Sequence, residues 1–283
     1  MQVEFFALLT SFCFGLNAIL IRKGLKDSTP VTAAIIVSLV QTPILAVLAL
    51  RLPIIWDWQA VWYFVLAGIF ASTIARALNY IAIDRVGVNV ATSLSGTDPL
   101  FSNVLAIVIL GEPMVPSTLA GVVLIVLGVL VMSGFELEEG VKKTDIILPI
   151  LAAFGYASAN MVRKIGMSIT PNAGFGAVIG SITSIIVFPL YLASRGRLRE
   201  FNPRTNGLKF FVGGGVVVSV AMLSMYTAFQ SGSIAVVTGL IGAAPLFGLV
   251  LTALLLKDTE RITRRVVAGC ITIFLGVLLI TVF

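Results

Sequence analysis

Long apolar stretches alternate with short polar segments along the whole chain. A helix rises 1.5 Å per residue, so about 20 apolar residues cross the hydrocarbon layer of a bilayer. The pattern therefore predicts an all-α integral membrane protein with ten transmembrane helices. The predicted helices cover residues 5–21, 30–50, 59–83, 86–110, 117–133, 146–162, 172–193, 210–229, 233–256 and 266–283.

The composition supports this prediction. Of the 283 residues 58% are hydrophobic and only 11% are charged, whereas soluble domains carry about 25% charged residues. The longest polar segments, 134–145 and 194–209, are too short to fold as a domain. These observations exclude a soluble enzyme and a protein with a single anchor. The formal charge of +6 is spread over short loops, so we expect no nucleic-acid partner.

The loops and one aromatic cluster indicate the position of the chain in the membrane. Trp56, Trp58 and Trp62 gather at the start of the third apolar run, as in the aromatic belts at membrane interfaces. With ten spans, 15 of the 19 Lys and Arg residues fall in loops on one side and three fall on the other, the side of both termini. The positive-inside rule then predicts a multi-pass protein of the cell membrane with both termini outside.

The two halves of the chain contain matching residues in the same order, at offsets of 141 to 148. Each half holds five predicted helices, and an odd number places the second copy upside down in the bilayer. This arrangement is the inverted repeat of many secondary transporters. The matches are Arg22-Lys23 with Arg163-Lys164 (both taken as helix ends), Thr29-Pro30 with Thr170-Pro171, Tyr80 with Tyr226, Pro99-Leu100-Phe101 with Pro245-Leu246-Phe247, Glu112 with Glu260, Ala120-Gly121 with Ala268-Gly269, and Gly128 with Gly276.

With these motifs the sequence resembles the drug/metabolite transporter superfamily in its EamA-domain branch. The resemblance rests on Pro99-Leu100-Phe101, Leu110-Gly111-Glu112, Leu119-Ala120-Gly121 and Ile125 to Val129, and on their second copies. It implies two inverted five-helix repeats, residues 1–134 and 145–283, around a central cavity with alternating access. It also implies termini in the cytoplasm, opposite to the charge count. The second copy departs from the family pattern at Lys257-Asp258-Thr259-Glu260, where Gly-Glu is usual.

Two charged residues, Arg76 and Asp98, lie deep within predicted helices. Such charges are costly in a bilayer and normally mark a transport pathway. Arg76 shares a predicted helix face with Ser72, Asn79 and Tyr80, and the neighbouring helix brings Asp98 within reach of an ion pair with Arg76. Either the pair only holds the helices together, or Arg76 binds a substrate carboxylate or phosphate while Asp98 is released or takes up a proton. The second half has Met222 and Ala244 at the two matching positions, and this asymmetry favours a role in function.

Uncharged residues extend the predicted site. Met222 and Tyr226 lie on the matching face in the second half, as an adaptable apolar wall or as ordinary helix packing. Pro99 and Pro245 each remove a backbone hydrogen bond, which predicts either a hinge at the membrane midplane or a simple kink. The predicted substrate-binding residues are Arg76, Asp98, Asn79, Tyr80, Gln41, Ser95, Met222 and Tyr226.

Together these features predict a secondary transporter, an exporter of small polar or amphipathic metabolites such as amino acids. We expect no cofactor and no metal site, because the chain has no His and no phosphate-binding loop. The expected partners are a small-molecule substrate and membrane lipid, with proton coupling and the oligomeric state left open. One alternative is a sugar-phosphate or nucleotide-sugar transporter of the same superfamily, although only Arg76 would then be a deep cation. A remote alternative is an intramembrane lipid-modifying enzyme, for which the catalytic cluster is missing.

Overall fold

The computed structural model describes residues 2–50, 56–86, 88–113, 115–133, 142–194, 196–255 and 264–282. All regular structure in these ranges is helical, which confirms the all-α membrane fold. Within the described ranges six helices are long and apolar enough to span a bilayer, and four further apolar helices are shorter. The α-helices are α1 (Gln2–Leu25), α2 (Pro30–Ala49), α3 (Trp58–Ala67), α4 (Arg76–Val86), α5 (Val88–Ser95), α6 (Asp98–Leu105), α7 (Pro116–Ser133), α8 (Ile147–Ile169), α9 (Ala173–Ser194), α10 (Leu208–Ser231), α11 (Ile234–Ile241), α12 (Ala244–Leu255) and α13 (Arg264–Val282).

Two π-helical segments interrupt the predicted α-helical periodicity. Gly68–Ala75 joins α3 to α4 in one continuous span, and Ala106–Leu110 extends α6. The second segment ends at Gly111, whose φ of 64° is in the left-handed region that favours glycine. Because π segments are rare and frequently occur at functional sites, the position of Arg76 directly after the first one is informative.

Local sequence signals set the starts of two helices. Pro30 occupies the first turn of α2, and the Thr29 hydroxyl accepts from the backbone N–H of Thr32 at 3.2 Å. Asp57 caps α3 by accepting from the N–H groups of Gln59 and Ala60 at 2.8 and 3.0 Å. The three tryptophans at this end of α3 are 57–69% exposed on the surface of the protein, as a lipid-facing aromatic belt requires.

The helix ends predicted at the two basic pairs are wrong. Helix α1 continues past Arg22-Lys23 to Leu25. The sixth apolar run was expected to stop at residue 162, but α8 continues to Ile169. Arg163 and Lys164 therefore lie inside a span and not in a loop. The predicted irregular end of the ninth helix, at residues 257–260, lies outside the described residues.

The fourth and ninth predicted helices are each interrupted in the middle, and the two interruptions are built alike. The first separates α5 from α6 at Gly96-Thr97, and the second separates α11 from α12 at Gly242-Ala243. Each break carries the same two turn hydrogen bonds at an offset of 146 residues. These are Thr97 N to Leu94 O (3.2 Å) with Leu100 N to Thr97 O (3.0 Å), and Ala243 N to Leu240 O (3.2 Å) with Leu246 N to Ala243 O (3.0 Å).

The two breaks touch one another. A Cβ atom placed on Gly242 would lie 2.9 Å from Cγ of Pro99, so the absence of a side chain lets the second break approach the first. Helix α1 packs beside them, and the Ser11 hydroxyl donates to the carbonyl of Ile241 at 3.2 Å. Pro245 has no N–H to donate to that carbonyl, so the Ser11 hydroxyl replaces the lost backbone bond.

Helices α7 and α13 pack closely through paired glycines. A Cβ on Gly121 would lie 2.8 Å from the carbonyl oxygen of Gly276, and a Cβ on Gly128 would lie 2.8 Å from that of Gly269. Gly121 and Gly128 match Gly269 and Gly276 in the sequence repeat. The contact is therefore reciprocal, because the first glycine of each helix packs against the second glycine of the other helix.

Candidate functional site

Arg76 is buried at the start of α4, with 5% of its surface exposed. Its guanidinium points toward α2, where NH1 donates to the Ser38 hydroxyl at 3.0 Å and NH2 donates to Oε1 of Gln41 at 3.1 Å. Gln41 is itself 1% exposed. These contacts bring together two residues of the predicted site and add Ser38, which the sequence analysis did not include.

The polar network around Arg76 continues into α9. The hydroxyls of Ser38 and Ser184 lie 3.2 Å apart, and Ser184 donates to the carbonyl of Ser72 at 2.7 Å. The predicted stripe of Ser72 beside Arg76 assumed α-helical spacing. Because Ser72 lies in the π segment, its contact with the network runs instead through its backbone carbonyl.

Asp98 begins α6, and its partner is on α8. Nδ2 of Asn160 donates to Oδ2 of Asp98 at 3.2 Å and lies 3.3 Å from the Ser102 hydroxyl. Oδ1 of the same amide accepts from NH1 of Arg163 at 2.8 Å. The Asn160 side chain thus stands between a carboxylate and a guanidinium.

The expected Arg76–Asp98 ion pair is not formed in the part of the chain that the structure describes. Arg76 is held by neutral acceptors on α2, and Asp98 is held by the amide on α8. Helices α4 and α5 are neighbours, as expected, although residues 84 and 85, which were expected to connect the two spans, lie within α4. The expected ion pair was wrong because rise along a helix does not determine which way each side chain points around it.

Arg163 is a deep charge that sequence reasoning missed. It is 2% exposed, its Cζ lies 5.5 Å from the centroid of the Tyr226 ring, and NH1 lies 3.7 Å from Sδ of Met225. Its Nε is buried without a hydrogen-bond partner. The match to Arg22 suggested a helix end. Arg22 is exposed three residues before the end of α1, whereas Arg163 lies six residues before the end of α8.

The remaining predicted binding residues lie on α4, α5 and α10. Tyr80 is buried beside Arg76 and Asn17, Tyr226 contacts Arg163, and Met222 is buried on the same helix as Tyr226. Ser95 is buried at the end of α5, and Oδ1 of Asn79 is buried without a partner.

Tyr156 on α8 lies near both polar groups. It lies within electrostatic interaction range of Tyr80 and Arg76 on one side and of Asp98 and Arg163 on the other. Sequence reasoning gave no signal for Tyr156, since it has no charge and no matching residue in the first half. We call Arg76, Asp98, Asn160, Arg163 and Tyr156 the buried charged cluster.

The proposed hinge residues occupy equivalent places. Pro99 is the second residue of α6 and contacts Gly242, and Pro245 is the second residue of α12. The hinge role itself stays a prediction.

A second group of polar contacts lies at the end of the molecule that carries the C-terminus of α8. Lys164 Nζ donates to the carbonyls of Phe229 and Gly232 at 3.1 and 2.7 Å, where α10 ends. Glu112 accepts from the N–H of Ile234 at 3.1 Å, where α11 begins. The positions of both side chains agree with the helix dipole, which favours a cation at a C-terminus and an anion at an N-terminus.

The side chains of the buried charged cluster have the chemistry that a charged organic solute would require. Guanidinium groups match carboxylates and phosphates in shape and charge, and the cluster combines two of them with one carboxylate beside two broken helices. A sequence profile of the EamA-like transporter family matches residues 1–134 and again residues 143–282.

The chain belongs to the EamA-like transporter family. It is similar to an uncharacterized transporter of Archaeoglobus fulgidus, with 26% identity over 276 residues, 97% of this chain and 96% of the relative. A crystal structure of a protein with 14% sequence identity covers 98% of this chain and 95% of its own, with a TM-score of 0.76. At that identity the likeness shows the fold alone. This EamA-like protein is thus a multi-pass membrane transporter.

Proposed function

We propose that this EamA-like protein is a secondary transporter that exports small polar or amphipathic metabolites, such as amino acids, and binds them at the buried charged cluster. The observation that carries the proposal is the burial of Arg76 and Arg163 between spanning helices, with the half-buried Asp98 at one of two helix breaks. Ionisable residues inside a membrane protein are costly and normally serve the solute pathway. Half-helices that meet at the midplane are where secondary transporters bind their substrates.

Alternating access would come from movement of two five-helix halves, residues 1–134 and 145–283, related by inversion. The equivalent breaks of the fourth and ninth spans support this architecture, as does the reciprocal glycine contact between α7 and α13. In the proposed cycle Pro99 and Pro245 are the hinges, because helices are most easily bent where backbone bonds are already missing.

The residues of the cluster have separate proposed roles. Arg76 and Arg163 attract the anionic group of the solute, and Asp98 takes its cationic group or a proton. Tyr226 and Met222, buried on α10, provide an apolar wall for the rest of the solute.

A phosphorylated solute, such as a sugar phosphate, is the second candidate substrate. Sequence reasoning placed only one deep cation in the pathway, too few for a phosphate. The burial of Arg163 supplies a second and supports this alternative within the same mechanism.

For the orientation we propose both termini outside. The proposal rests on the sequence count of basic loop residues. Two of the three basic residues counted on the side of the termini, Arg163 and Lys164, lie within α8, and residues counted on the opposite side, such as Arg85 and Lys209, also lie within helices. A single cysteine introduced at either terminus of a chain lacking Cys13 and Cys270 tests this with an impermeant thiol reagent in whole cells. Labelling from outside is expected, and labelling only after lysis would contradict the orientation.

Two linked measurements test the proposed function. A thermal-shift screen of metabolites on the purified protein identifies binders, since a ligand of the native state raises its stability. Counterflow in proteoliposomes then asks whether a stabilising metabolite exchanges across the membrane. Saturable counterflow without ATP is expected. Absence of exchange for every stabilising metabolite, or turnover of a labelled lipid by the purified protein, would contradict the proposal.

A further inference from the structure

Arg163 is the least compensated charge in the cluster. Its partners are all uncharged: the amide oxygen of Asn160, the sulfur of Met225, which is a weak acceptor, and the side chain of Tyr226, whereas its Nε has none. Among the described residues no carboxylate forms an ion pair with it, since Asn160 separates it from Asp98. A guanidinium is always charged, and a buried charge without an ionic partner is strongly unfavourable. The site therefore favours an added anion.

Arg76 differs from Arg163 in this respect. Both of its terminal nitrogens are bonded, to Ser38 and Gln41 on α2, and Ser38 in turn contacts Ser184 on α9. This network fixes Arg76 between three helices. An arriving anion would have to displace these bonds, whereas at Arg163 it would meet an unpaired N–H.

The surroundings of Arg163 fit an anion attached to an apolar group. The Tyr226 ring lies against the guanidinium, and Phe64 lies 6.0 Å from that ring. A Cβ on Gly176 would lie 2.6 Å from Tyr226 Cε1, so α9 holds the ring in place. An arginine that lies against an aromatic ring and has an unpaired N–H has the geometry to donate parallel hydrogen bonds to two oxygens of a carboxylate or phosphate.

We propose that Arg163 is the principal anion-binding residue of the transport site and takes the carboxylate or phosphate of a solute that also carries an apolar group. The proposal deepens the transport function and rests on it. Arg76 then helps to attract the anion, while Arg163 makes the direct contact.

The first test uses three probes that share a phenyl group: 3-phenylpropanoate, phenyl phosphate and the uncharged 3-phenylpropanol. Binding to the full chain in detergent is followed by calorimetry. One or both anions should bind saturably and at least tenfold more tightly than the alcohol, and the tighter anion identifies the class of substrate. Equal binding of all three, or no binding of either anion, would overturn the proposal.

Arg163→Gln should lower the affinity for the anion at least tenfold, while Arg85→Gln, which changes an exposed arginine paired with Asp145, should leave it within threefold.

A second pair of variants keeps Arg163 in place and tests its role if Arg163→Gln protein does not fold. Met225→Glu places a carboxylate beside the guanidinium at nearly unchanged volume, and Met225→Gln is its neutral match. Met225→Glu should fold and lose anion binding, and Met225→Gln should bind within threefold of the unchanged protein. Wild-type affinity in Met225→Glu or Arg163→Gln would refute the role of Arg163.

Counterflow separates this inference from the transport function. If proteoliposomes exchange only neutral or cationic solutes, the protein is a transporter and the anion site is wrong. If no solute exchanges although both anions bind and Met225→Glu abolishes their binding, the anion site stands and the transport proposal fails.

Discussion

The contact between the two helix breaks predicts a specific effect of Gly242→Ala. The added methyl group would lie 2.9 Å from Cγ of Pro99 and 3.3 Å from Cγ2 of Ile125. The first distance is too short for two carbon atoms, and the proline ring cannot rotate away as a flexible side chain would. The breaks must therefore separate by several tenths of an ångström.

Overpacking of this kind costs about 1–3 kcal/mol. For a chain of this size each kcal/mol lowers the melting temperature by about 2–4 °C, so scanning fluorimetry of the purified protein should show a decrease between about 2 and 12 °C. Gly248→Ala on α12 is the matched control, because its nearest neighbour atom would lie at an ordinary 3.7 Å. A Gly242→Ala protein as stable as both the control and the unchanged chain would refute the contact between the breaks.

Two further substitutions test the polar groups. Asp98→Asn should remove the pH dependence of transport and leave exchange intact if Asp98 carries the coupled proton; an unchanged pH profile of uptake would argue against coupling at this residue. Lys164→Met removes the charge-assisted bonds to the carbonyls of Phe229 and Gly232 at the end of α10 and should lower the free energy of unfolding by about 1.5–3 kcal/mol, measured as a shift of the melting temperature. Lys23→Met, at the matching position of the first half, should lower the melting temperature less, and equal shifts would contradict the capping role.

The helix breaks could be predicted because their cause is local. Proline has no N–H wherever it occurs, so Pro99 and Pro245 mark a missing backbone bond in any fold. The structure also shows tertiary contacts at the breaks, which a local rule cannot predict. Ser11, far away in the sequence, donates to the carbonyl that Pro245 leaves open, and Gly242 admits the ring of Pro99.

Arg163 shows why the candidate site could be predicted only in part. A charged pair such as Arg163-Lys164 usually ends an apolar run, and its match to Arg22-Lys23 reinforced that interpretation. In the folded chain Lys164 reaches the end of α10 and Arg163 turns toward Asn160 and Tyr226, so neither charge meets lipid. Partners on other helices decide whether such a residue lies in a span, and one sequence does not reveal them.

The partners of Arg76 follow the same principle. Its depth was evident from the sequence, but the choice between Asp98 and Gln41 depends on the direction of the side chain. The π segment before Arg76 changes the direction of its side chain by altering the number of residues per turn. No residue type in Gly68–Ala75 predicts this change.

The most direct test of the central claim is counterflow by Arg76→Ala in proteoliposomes, beside Arg85→Ala as control. Both variants remove an arginine from α4, but only Arg76 belongs to the buried charged cluster, and an exposed ion pair such as that of Arg85 contributes little to stability. With a metabolite that the unchanged protein exchanges, we expect folded Arg76→Ala protein to show no saturable counterflow and Arg85→Ala protein to retain it. Counterflow by Arg76→Ala at the rate of the unchanged protein would contradict the claim that solute passes through the cluster.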